Sequence, residues 1–467
     1  MKNELYETNY TNIIEPKYGN KRNILLDEKL EKEINLHHTY SIQKREDLTD
    51  LETYSIDPEG CKDADDAFSI FEKNDKLFLA IHIADPTEYI PLHSDTWKDI
   101  LTRGTTKYPS NRPPIHMIPE KILNLSSLQG DIFGCKKKAI TVMTEIDKKK
   151  YYPINEIQVL FSEITVKRKN AYTYSDAAIC KNVIKSFIYG LAISESLKKK
   201  RSLLTKGVKL NDLNTAYIIY DYDKLYLHED SKEEKEVKQM IAEFAIFANS
   251  FIGEYLKINL NIGIFRTCNA KSWLNTVYNE MSGEKLLQEI ITNGIRADYM
   301  SNVSSHDLVG MPEYCHFTSP IRRVSDCVCH YLIKYIYLKN KKQIELPFTD
   351  YELENIANKC LSISKNEKKN QYVDIKFRLL QVMFNMLLTN NNLELGYYIT
   401  SYSGLFLNII ISKINNFNVH MSYTIRIRNF DKTIDPKYMY FVSITRVNCF
   451  IQYDEGTLPE LEYQVLN

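Results

Sequence analysis

The sequence predicts an α+β protein in which strand-rich segments come before and after a long helical segment. Residues 53–56 alternate between polar and apolar, and residues 67–70, 77–83 and 139–145 also look like strands. Between residues 175 and 390 the apolar residues instead recur with the spacing of amphipathic helices. The alternation returns after residue 396, at 405–412, 423–428, 439–447 and 450–453. We therefore expect a mixed sheet with helices, followed by a small barrel-like β domain.

The domain boundaries are placed where the pattern changes. A length of 467 residues fits about three domains. Residues 1–50 are polar with short apolar patches, and we expect an N-terminal arm or partial subdomain there. Residues 51–392 form the predicted main domain, and residues 393–467 form the predicted C-terminal β domain. Hydrophobic residues make up 44% of the chain, which is enough to build a large core.

Two predicted helices matter for the argument. In residues 234–256 the apolar side chains, among them Val237, Met240, Phe244 and Ala248, fall on one helical face. A second helix is predicted to begin near Ser319-Pro320, because serine is a favoured N-cap and proline is favoured at the first helical position.

Charge and cysteine content restrict the class of protein. Lys+Arg and Asp+Glu are both 60, so the formal net charge is +0, and any polyanion would have to meet a local positive groove. The nine cysteines are dispersed and contain no C-x-x-C pair, which predicts reduced thiols and a cytoplasmic or other reducing compartment. We see no signal peptide and no apolar run near the roughly 18 residues of a membrane span, so we expect no membrane contact.

The most informative stretch is an acidic loop. Asp57 ends a predicted strand, and Asp63, Asp65 and Asp66 follow within one short loop. Four carboxylates this close repel one another, and hard oxygen ligands suit Mg²⁺. The alternative is a calcium loop or an acidic surface turn. An EF-hand loop starting at Asp63 does not fit, because Ala67 and Phe68 stand where an acid or Asn and a glycine are needed.

Two arginines at the predicted helix start form the second clue. Arg322 and Arg323 would oppose the helix dipole, at a cost of about 0.3–1 kcal/mol each. A phosphate bound there would reverse the sign of that effect. The alternative is a salt bridge between Arg322 and the acidic loop, and the residues alone leave the two interpretations open.

An ordered series of motifs supports a family resemblance. They are His82-Ile83-Ala84-Asp85, Arg103-Gly104-Thr105 with Tyr108, Pro119-Glu120-Lys121 with Ser127-Leu128, Thr173-Tyr174, Glu243-Phe244 with Ala248-Asn249, and Tyr314-Cys315-His316-Phe317-Thr318-Ser319-Pro320-Ile321-Arg322-Arg323 with Asp326 and His330. With the acidic loop, this series resembles the ribonuclease II / ribonuclease R family, whose catalytic unit is the RNB domain, a mixed sheet with helices around a central RNA channel. The sequence departs from the family at Val324-Ser325 and at Pro86-Thr87.

The resemblance implies a processive, Mg²⁺-dependent 3′→5′ exoribonuclease, a hydrolase that degrades single-stranded RNA to nucleoside 5′-monophosphates. It implies one or two Mg²⁺ ions, for which Mn²⁺ can substitute. The implied site residues are Asp57, Asp63, Asp65 and Asp66 for the metal, with Asp65 most directly tied to cleavage; Arg322 for the scissile phosphate; Tyr108 and Trp273 for base stacking; Tyr174 for the terminal nucleotide; and Arg323 for RNA contact. His82, Asp85 and His316 are expected to be structural.

The ends of the chain differ from the family pattern. Members commonly carry two cold-shock barrels before the RNB domain, whereas about 50 residues precede it here. The C-terminal segment fits a divergent oligonucleotide-binding barrel, with Arg426, Arg428 and Arg446 on its strands. A separate protein could then deliver the RNA to a monomeric enzyme. The alternative function is a catalytically weak or inactive RNB-fold protein that binds RNA as a scaffold. The presence of all four aspartates and of Arg322 favours the enzyme.

Overall fold

The computed structural model describes residues 8, 10–110, 112–131, 134–154, 156–205, 216–221, 224–275, 290, 294–403, 406–426 and 439–444. The helices are α1 Ile24–Glu31, α2 Asp95–Arg103, α3 Glu120–Ser126, α4 Tyr174–Cys180, α5 Lys185–Leu204, α6 Lys232–Asn259, α7 Lys271–Leu274, α8 Val324–Leu338 and α9 Asp350–Thr389. The strands are β1 Glu46–Asp47, β2 Ser55–Asp57, β3 Asp66–Lys73, β4 Lys76–Ala84, β5 Lys137–Ile146, β6 Gln158–Ile164, β7 Ala171–Thr173, β8 Tyr217–Asp221, β9 Lys224–His228, β10 Phe265–Cys268, β11 Ala297–Met300, β12 Leu393–Ser403, β13 Phe406–Ile414, β14 Phe417–Arg426 and β15 Tyr440–Ile444. The α+β class expected from the sequence is confirmed.

The central sheet has five strands in the order β1-β6-β5-β4-β3. All neighbours are antiparallel except β1 and β6. Strand β4 is buried over nearly its whole length, as expected for a central strand covered on both faces. Strand β2 pairs in parallel with β7, which sets Asp57 opposite Thr173. This pairing brings the start of the acidic loop beside the start of α4.

The amphipathic helix expected at residues 234–256 is α6. It starts with a capping box, in which the Ser231 side chain accepts the Glu234 N–H and the Glu234 carboxylate accepts the Ser231 N–H. The predicted apolar face is buried, including Val237, Met240 and Ala248.

The second predicted helix exists, but its predicted start is wrong. Helix α8 begins at Val324 with Arg323 at the N-cap position, and residues 319–322 form a turn before it. The Ser319 N–H is bound by Asp326 Oδ1, and the Ile321 N–H is bound by Asp65 Oδ1. The Arg322 carbonyl in turn accepts the Thr106 N–H. Because these contacts hold the segment in a turn, the two arginines precede the helix and do not lie in its first turn.

Helix α9 connects the two hydrophobic cores. Its first half contributes Leu353, Ile356 and Ala357 to the core around the central sheet. Its last turns contribute Leu379, Leu380 and neighbouring residues to a second core shared with β12–β14. The C-terminal strands form an antiparallel sheet in the order β14-β13-β12-β15. C-terminal strands are therefore present over the described residues, and their assignment to a separate barrel-like domain stays a prediction. Arg428, Arg446 and the strand expected at 450–453 lie outside them, and the domain boundaries stay predictions.

The N-terminal segment is fastened to α9 by a buried carboxylate. The Tyr10 and Tyr18 hydroxyls each donate to Asp374 Oδ2 at 2.8 Å. The Ser110 N–H donates to the same oxygen at 3.0 Å, and the Ser110 hydroxyl donates to Oδ1. The segment before the central sheet thus packs on the long helix and on the loop that carries Tyr108.

No single helix among the described residues passes a length and apolarity test for a membrane span. Helices α4 and α5 pass it together only as a pair bent by 101°.

Candidate active site

The four aspartates of the acidic loop lie between β2 and β3. Asp57 ends β2, Asp66 begins β3, and Gly60 makes the turn between them with φ +72°. Asp63 and Asp65 are buried, with 8% and 4% of their surface exposed. The Cys61 thiol lies between the two arms of the loop, 3.8 Å from Asp57 Oδ1 and 3.6 Å from Asp63 Oδ1. The loop therefore presents its carboxylates from two sides of one turn.

Arg322 is joined to the loop through Asp65. Its Nε donates to Asp65 Oδ2 at 3.0 Å, and its Nη2 donates to Ser319 Oγ at 3.0 Å. The Arg322 side chain is 43% exposed, and its Nη1 has no partner within the described part of the chain. The salt bridge considered as the alternative is thus present. It uses one edge of the guanidinium and leaves Nη1 available to an anion.

The backbone at Arg322 is fixed by the segment that follows α2. The Thr106 N–H and the Thr105 hydroxyl both donate to the Arg322 carbonyl, and the Val324 N–H donates to the Gly104 carbonyl. Gly104 has φ +68°, and a Cβ there would lie 2.3 Å from Ile363 Cδ1 of α9. The Arg103-Gly104-Thr105 motif therefore positions the arginine turn against the acidic loop.

Tyr108 contacts the acidic loop directly. Its hydroxyl donates to Asp63 Oδ2 at 2.6 Å, while 38% of the residue remains exposed. Burial of the hydroxyl and the charge of Asp63 raise the pKa of Tyr108, so the phenol stays protonated and acts as the donor.

Tyr174 lies near Asp57 and Asp66 of the loop. It is the first residue of α4, where Thr173 is the N-cap, and the β2–β7 pairing brings it beside Asp57. Burial, followed by the charges of Asp66 and Asp57, raises its pKa. The Lys238 ammonium lies 5.3 Å from the centre of the Tyr174 ring. The structure therefore brings together the four aspartates, Arg322, Tyr108 and Tyr174.

Two other predicted RNA contacts lie in different surroundings. The Arg323 Nε and Nη2 bind both oxygens of Asp326 at 3.0 and 2.8 Å, so its fork is occupied within the chain. Trp273 packs in a small apolar cluster with Cys268, Ala270 and Leu308. Their roles in RNA binding stay predictions.

The histidines and Asp85 are held inside the fold. His82 is fully buried between Ser69 and Thr141, and burial lowers its pKa to about 3. Asp85 is fully buried and pairs with Arg45 and Lys334. His316 Nδ1 hydrogen-bonds the Tyr299 hydroxyl at 2.7 Å. These contacts support the expected structural roles.

The charge balance of the loop tests whether a metal ion fits. Burial raises the pKa of Asp57 to about 7, with Asp66 and Asp63 adding to the effect. Burial also raises the pKa of Asp66 to about 6, although Arg322 and Arg323 oppose it. The positive charges near Asp57 and Asp66 therefore do not offset the cost of burying these two carboxylates. In addition, the buried His116 Nδ1 lies 3.9 Å from Asp63 Oδ2 and has no hydrogen-bond partner in the described residues. A hydrated divalent cation fits this donor set.

The aspartate oxygens do not form a closed cation cage. Among the described residues, no three of the four aspartates bring ligand oxygens within 4.8 Å of one another. An ion such as Mg²⁺, which commonly takes only one or two carboxylates together with water and substrate phosphate, does not require such a cage. The ligand atoms of a second group, His228, Asp230 and Glu234, do lie within 4.8 Å of one another. However, both Asp230 oxygens bind Lys238 and Glu234 belongs to the α6 capping box, so local contacts explain this second group.

Some site features had no usable sequence signal. His116 lies outside every recognised motif, and Lys238 is distant in sequence from Tyr174. Cys61 could have been noticed, because it stands between two of the aspartates. Its contacts with both carboxylates depend on the turn at Gly60, which only the folded loop defines.

Comparison with known proteins agrees with this fold. The RNB domain profile matches residues 45–339, which is more than half of the chain, so the protein belongs to the RNB domain family. Ribonuclease R of Helicobacter pylori is 26% identical over 404 residues, which cover 75% of this chain and 60% of that protein. This chain therefore spans less than two thirds of that relative.

Two solved structures share the fold. Mycoplasma genitalium RNase R in complex with ribose methylated single-stranded RNA matches with a TM-score of 0.72 and 17% identity, over 94% of this chain and 76% of that one. Yeast Ssd1, described as a pseudonuclease, matches with a TM-score of 0.63 and 16% identity, over 83% of this chain and 51% of that one. At these identities the likeness shows the fold alone.

Proposed function

We propose that this protein is a metal-dependent exoribonuclease that hydrolyses single-stranded RNA processively from the 3′ end and releases nucleoside 5′-monophosphates. The observation that carries the proposal is the Asp65–Arg322 pair, with 3.0 Å between Nε and Oδ2, inside a loop of four aspartates. Carboxylates that can hold a cation, beside an arginine whose Nη1 has no partner among the described residues, can together bind a phosphodiester and stabilise the charge that grows as it is cleaved. The name of the Helicobacter pylori relative supports the same class.

The proposed metal is Mg²⁺, one or two ions, with Mn²⁺ as a substitute. Asp57, Asp63 and Asp66 would hold it together with Asp65. When bound, it would activate water and neutralise charge on the phosphate. Arg322 binds the scissile phosphate through its free Nη1 and stabilises the growing negative charge. Asp65 orients the guanidinium through Nε, and the Ile321 N–H holds Asp65 in turn.

The two tyrosines would bind the end of the RNA chain. Tyr108 presents a partly exposed ring whose hydroxyl is fixed by Asp63, so the ring is already ordered for stacking on a base. Tyr174 lies near Asp57 and Asp66 and would contact the terminal nucleotide, where the 2′-hydroxyl distinguishes RNA from DNA. Arg323 and Trp273 are proposed as further RNA contacts, although the contacts within the chain favour structural roles. We propose a monomer that could receive RNA from a partner protein.

The alternative is an RNB-fold protein that binds RNA without cleaving it. The structural likeness to Ssd1, described as a pseudonuclease, gives this alternative its support. All four aspartates and Arg322 are present and close together here, which favours the enzyme.

The substitution Asp65→Asn tests the proposal. It removes one charge and leaves the shape of the side chain, so we expect cleavage of single-stranded RNA to fall by orders of magnitude while RNA affinity is kept or increased. Asp47→Asn, at an exposed carboxylate paired with Lys136, is the control and should cleave normally. Normal cleavage by Asp65→Asn would contradict the assignment. A wild-type protein that binds RNA in Mg²⁺ and leaves it intact would support the scaffold alternative.

A further inference from the structure

A cavity of about 420 Å³ lies between α9 and the C-terminal sheet, apart from the acidic loop. Helix α9 contributes Tyr372 and Lys376, and strands β12, β13 and β14 contribute the remaining lining residues, which include Ser401, Asn408, Ser422 and Tyr423. Hydroxyl and amide groups dominate this lining. Among the described residues that line the cavity, Lys376 carries a positive charge and none is acidic.

Among the described residues, Lys376 is a largely buried cation without an anionic partner. Only 8% of its surface is exposed. Its ammonium lies 4.5 Å from the centre of the Tyr372 ring and 4.8 Å from that of Tyr423. In the described part of the chain it has neither a hydrogen-bond acceptor nor a carboxylate, so its contacts are the two ring faces. Burial lowers the pKa of Lys376 to about 8.

A buried ammonium usually requires a paired charge and hydrogen-bond acceptors. In the described part of the chain the two tyrosine rings stabilise the charge, and no acceptor takes the N–H donors of the ammonium. The neighbouring Ser401 and Asn408 side chains are hydrogen-bonded to each other at 2.8 Å, which keeps polar groups ordered along the sheet side. Tyr372 is fixed as well, because its hydroxyl accepts the Ser422 N–H and donates to the Ser422 carbonyl. The cavity is thus a preformed polar site with a single positive charge.

We infer that this cavity is a binding site for a phosphate group carried by a nucleotide, with Lys376 as the residue that contacts the anion. The absence of acidic lining residues in the described cavity fits an anion, and the volume exceeds what a bare phosphate would fill. The nucleotide class rests on the proposed function, because an exoribonuclease meets both RNA phosphodiesters and released 5′-monophosphates. The two sources share the phosphate that Lys376 would bind.

Equilibrium binding in EDTA separates this inference from catalysis, because no cleavage is expected without metal. The probes are 5′-AMP, adenosine and a short single-stranded RNA, and the variants are Lys376→Met and Lys369→Met, the latter an exposed lysine of the same helix. We expect Lys376→Met to weaken binding of at least one phosphate-bearing probe about tenfold, which corresponds to about 1.4 kcal/mol. Lys369→Met should leave binding unchanged, and adenosine should bind no more weakly to Lys376→Met than to the wild type.

The response to the probes identifies the source of the phosphate. Loss of 5′-AMP binding assigns the site to a free nucleotide, and loss of RNA binding alone assigns it to the RNA chain. Equal affinities of both lysine variants for 5′-AMP and for RNA would overturn the inference, even if the enzyme cleaves RNA as proposed.

A second measurement uses the unaltered protein and does not depend on a variant that folds. Acetylation at pH 8, read by peptide mass spectrometry, compares Lys376 with Lys369 with and without 5′-AMP or RNA. Protection of Lys376 by either phosphate ligand, without protection by adenosine, is expected. If Lys376 reacts to the same extent with and without both ligands, or resists the reagent throughout while the variants bind equally, the inference is wrong.

Discussion

At the residue scale, the proposed function gives Arg322 two roles. Its Nε and Nη2 are used within the protein, by Asp65 and Ser319, and these bonds hold the guanidinium in one orientation. Its Nη1 has no partner among the described residues, and the proposed function assigns the scissile phosphate to it. An arginine can do both because its nitrogens form a rigid planar fork, whereas a lysine offers a single charged nitrogen on a flexible chain.

The Arg322→Lys substitution should therefore reduce the cleavage rate steeply, by about 100-fold or more, because the preoriented second donor is lost. Its melting temperature should stay close to that of the wild type, since charge beside Asp65 is retained. Arg322→Ala should lose activity and also stability, because buried Asp65 then lacks its partner. Turnover and melting temperature are measured for both variants. A lysine variant with near wild-type turnover would reduce Arg322 to a charge that neutralises the aspartates.

Two substitutions at Tyr108 separate the contribution of its ring from that of its hydroxyl. Tyr108→Phe removes the 2.6 Å hydrogen bond to Asp63 and keeps the ring, so the final 5′ product should keep its length. Tyr108→Ala removes a stacking contact worth about 1–3 kcal/mol per base, and the final product should become longer because the last nucleotides are released earlier. Product lengths are read from 5′-labelled RNA on a denaturing gel. Identical end products for the alanine variant and the wild type would assign Tyr108 to packing.

The sequence predicts which site residues lie together better than it predicts the backbone that holds them. The spacing of the aspartates and the motifs of the family resemblance both point to the loop and to Arg322, whereas their roles stay predictions. The start of α8 was misplaced because Ser319-Pro320 is a favourable start signal taken alone. Asp65 and Asp326 bind the N–H groups of the turn, and Asp65 is 256 residues away from Ile321 in sequence. A long-range contact of that kind has no local signature.

At the scale of elements, the loop that carries Tyr108 is positioned by α9 and by the N-terminal segment. Ser110, two residues after Tyr108, donates two hydrogen bonds to Asp374, which also accepts the Tyr10 and Tyr18 hydroxyls. Asp374 is 2% exposed, so bulk water does not reach these donors to act as an acceptor in place of the carboxylate. The arrangement couples a polar arm predicted from the sequence to a loop beside the site.

We expect Asp374→Ala to destabilise the fold by about 3 kcal/mol, because it leaves several buried donors unsatisfied. Glu354→Gln, at an exposed position of the same helix, should change stability by less than about 0.5 kcal/mol. Urea unfolding followed by circular dichroism gives both values. Equal stability of the two variants would show that the N-terminal segment is not fastened through Asp374.

At the scale of the whole molecule, a buried charge network joins the segment before β1, the end of β4 and α8. Arg45 pairs with Asp85 and Glu88, and Lys334 pairs with the same two carboxylates. Burial raises the pKa of both acids, but Lys334 and Arg45 outweigh it, so the pKa of Asp85 lies well below its usual range and that of Glu88 is also lowered.

The sign of this shift predicts acid sensitivity. Carboxyls with lowered pKa in the folded protein stabilise it fully above their unfolded pKa values, near 4, and lose that contribution as the pH falls through the folded values. Lys334→Met should therefore destabilise the protein at pH 7 by several kcal/mol and raise the pH at which acid unfolds it. Lys339→Met, at the exposed end of α8, should behave as the wild type. Acid titration followed by near-ultraviolet circular dichroism makes the comparison, and coincident curves for the two variants would exclude the network as the cause.

At the scale of the whole molecule too, the sequence predicts some features of the architecture and not others. The order of strands, helices and C-terminal strands was predictable, because each element carries its own periodicity. The way α9 serves both cores was not, since the hydrophobic pattern of a 40-residue helix does not say which half faces which sheet. The cavity at Lys376 lies between that helix and the C-terminal sheet.

The central claim is that the chain removes nucleotides one at a time from the 3′ end of RNA in a metal-dependent reaction. A single-stranded RNA labelled at its 3′ end in one sample and at its 5′ end in another is incubated with the protein, with Mg²⁺ or with EDTA. The account predicts that with Mg²⁺ the 3′ label appears at once as a mononucleotide, while the 5′ label ends in a short oligomer, and that EDTA prevents both. Internal fragments, release of the 5′ label first, or full activity in EDTA would contradict it.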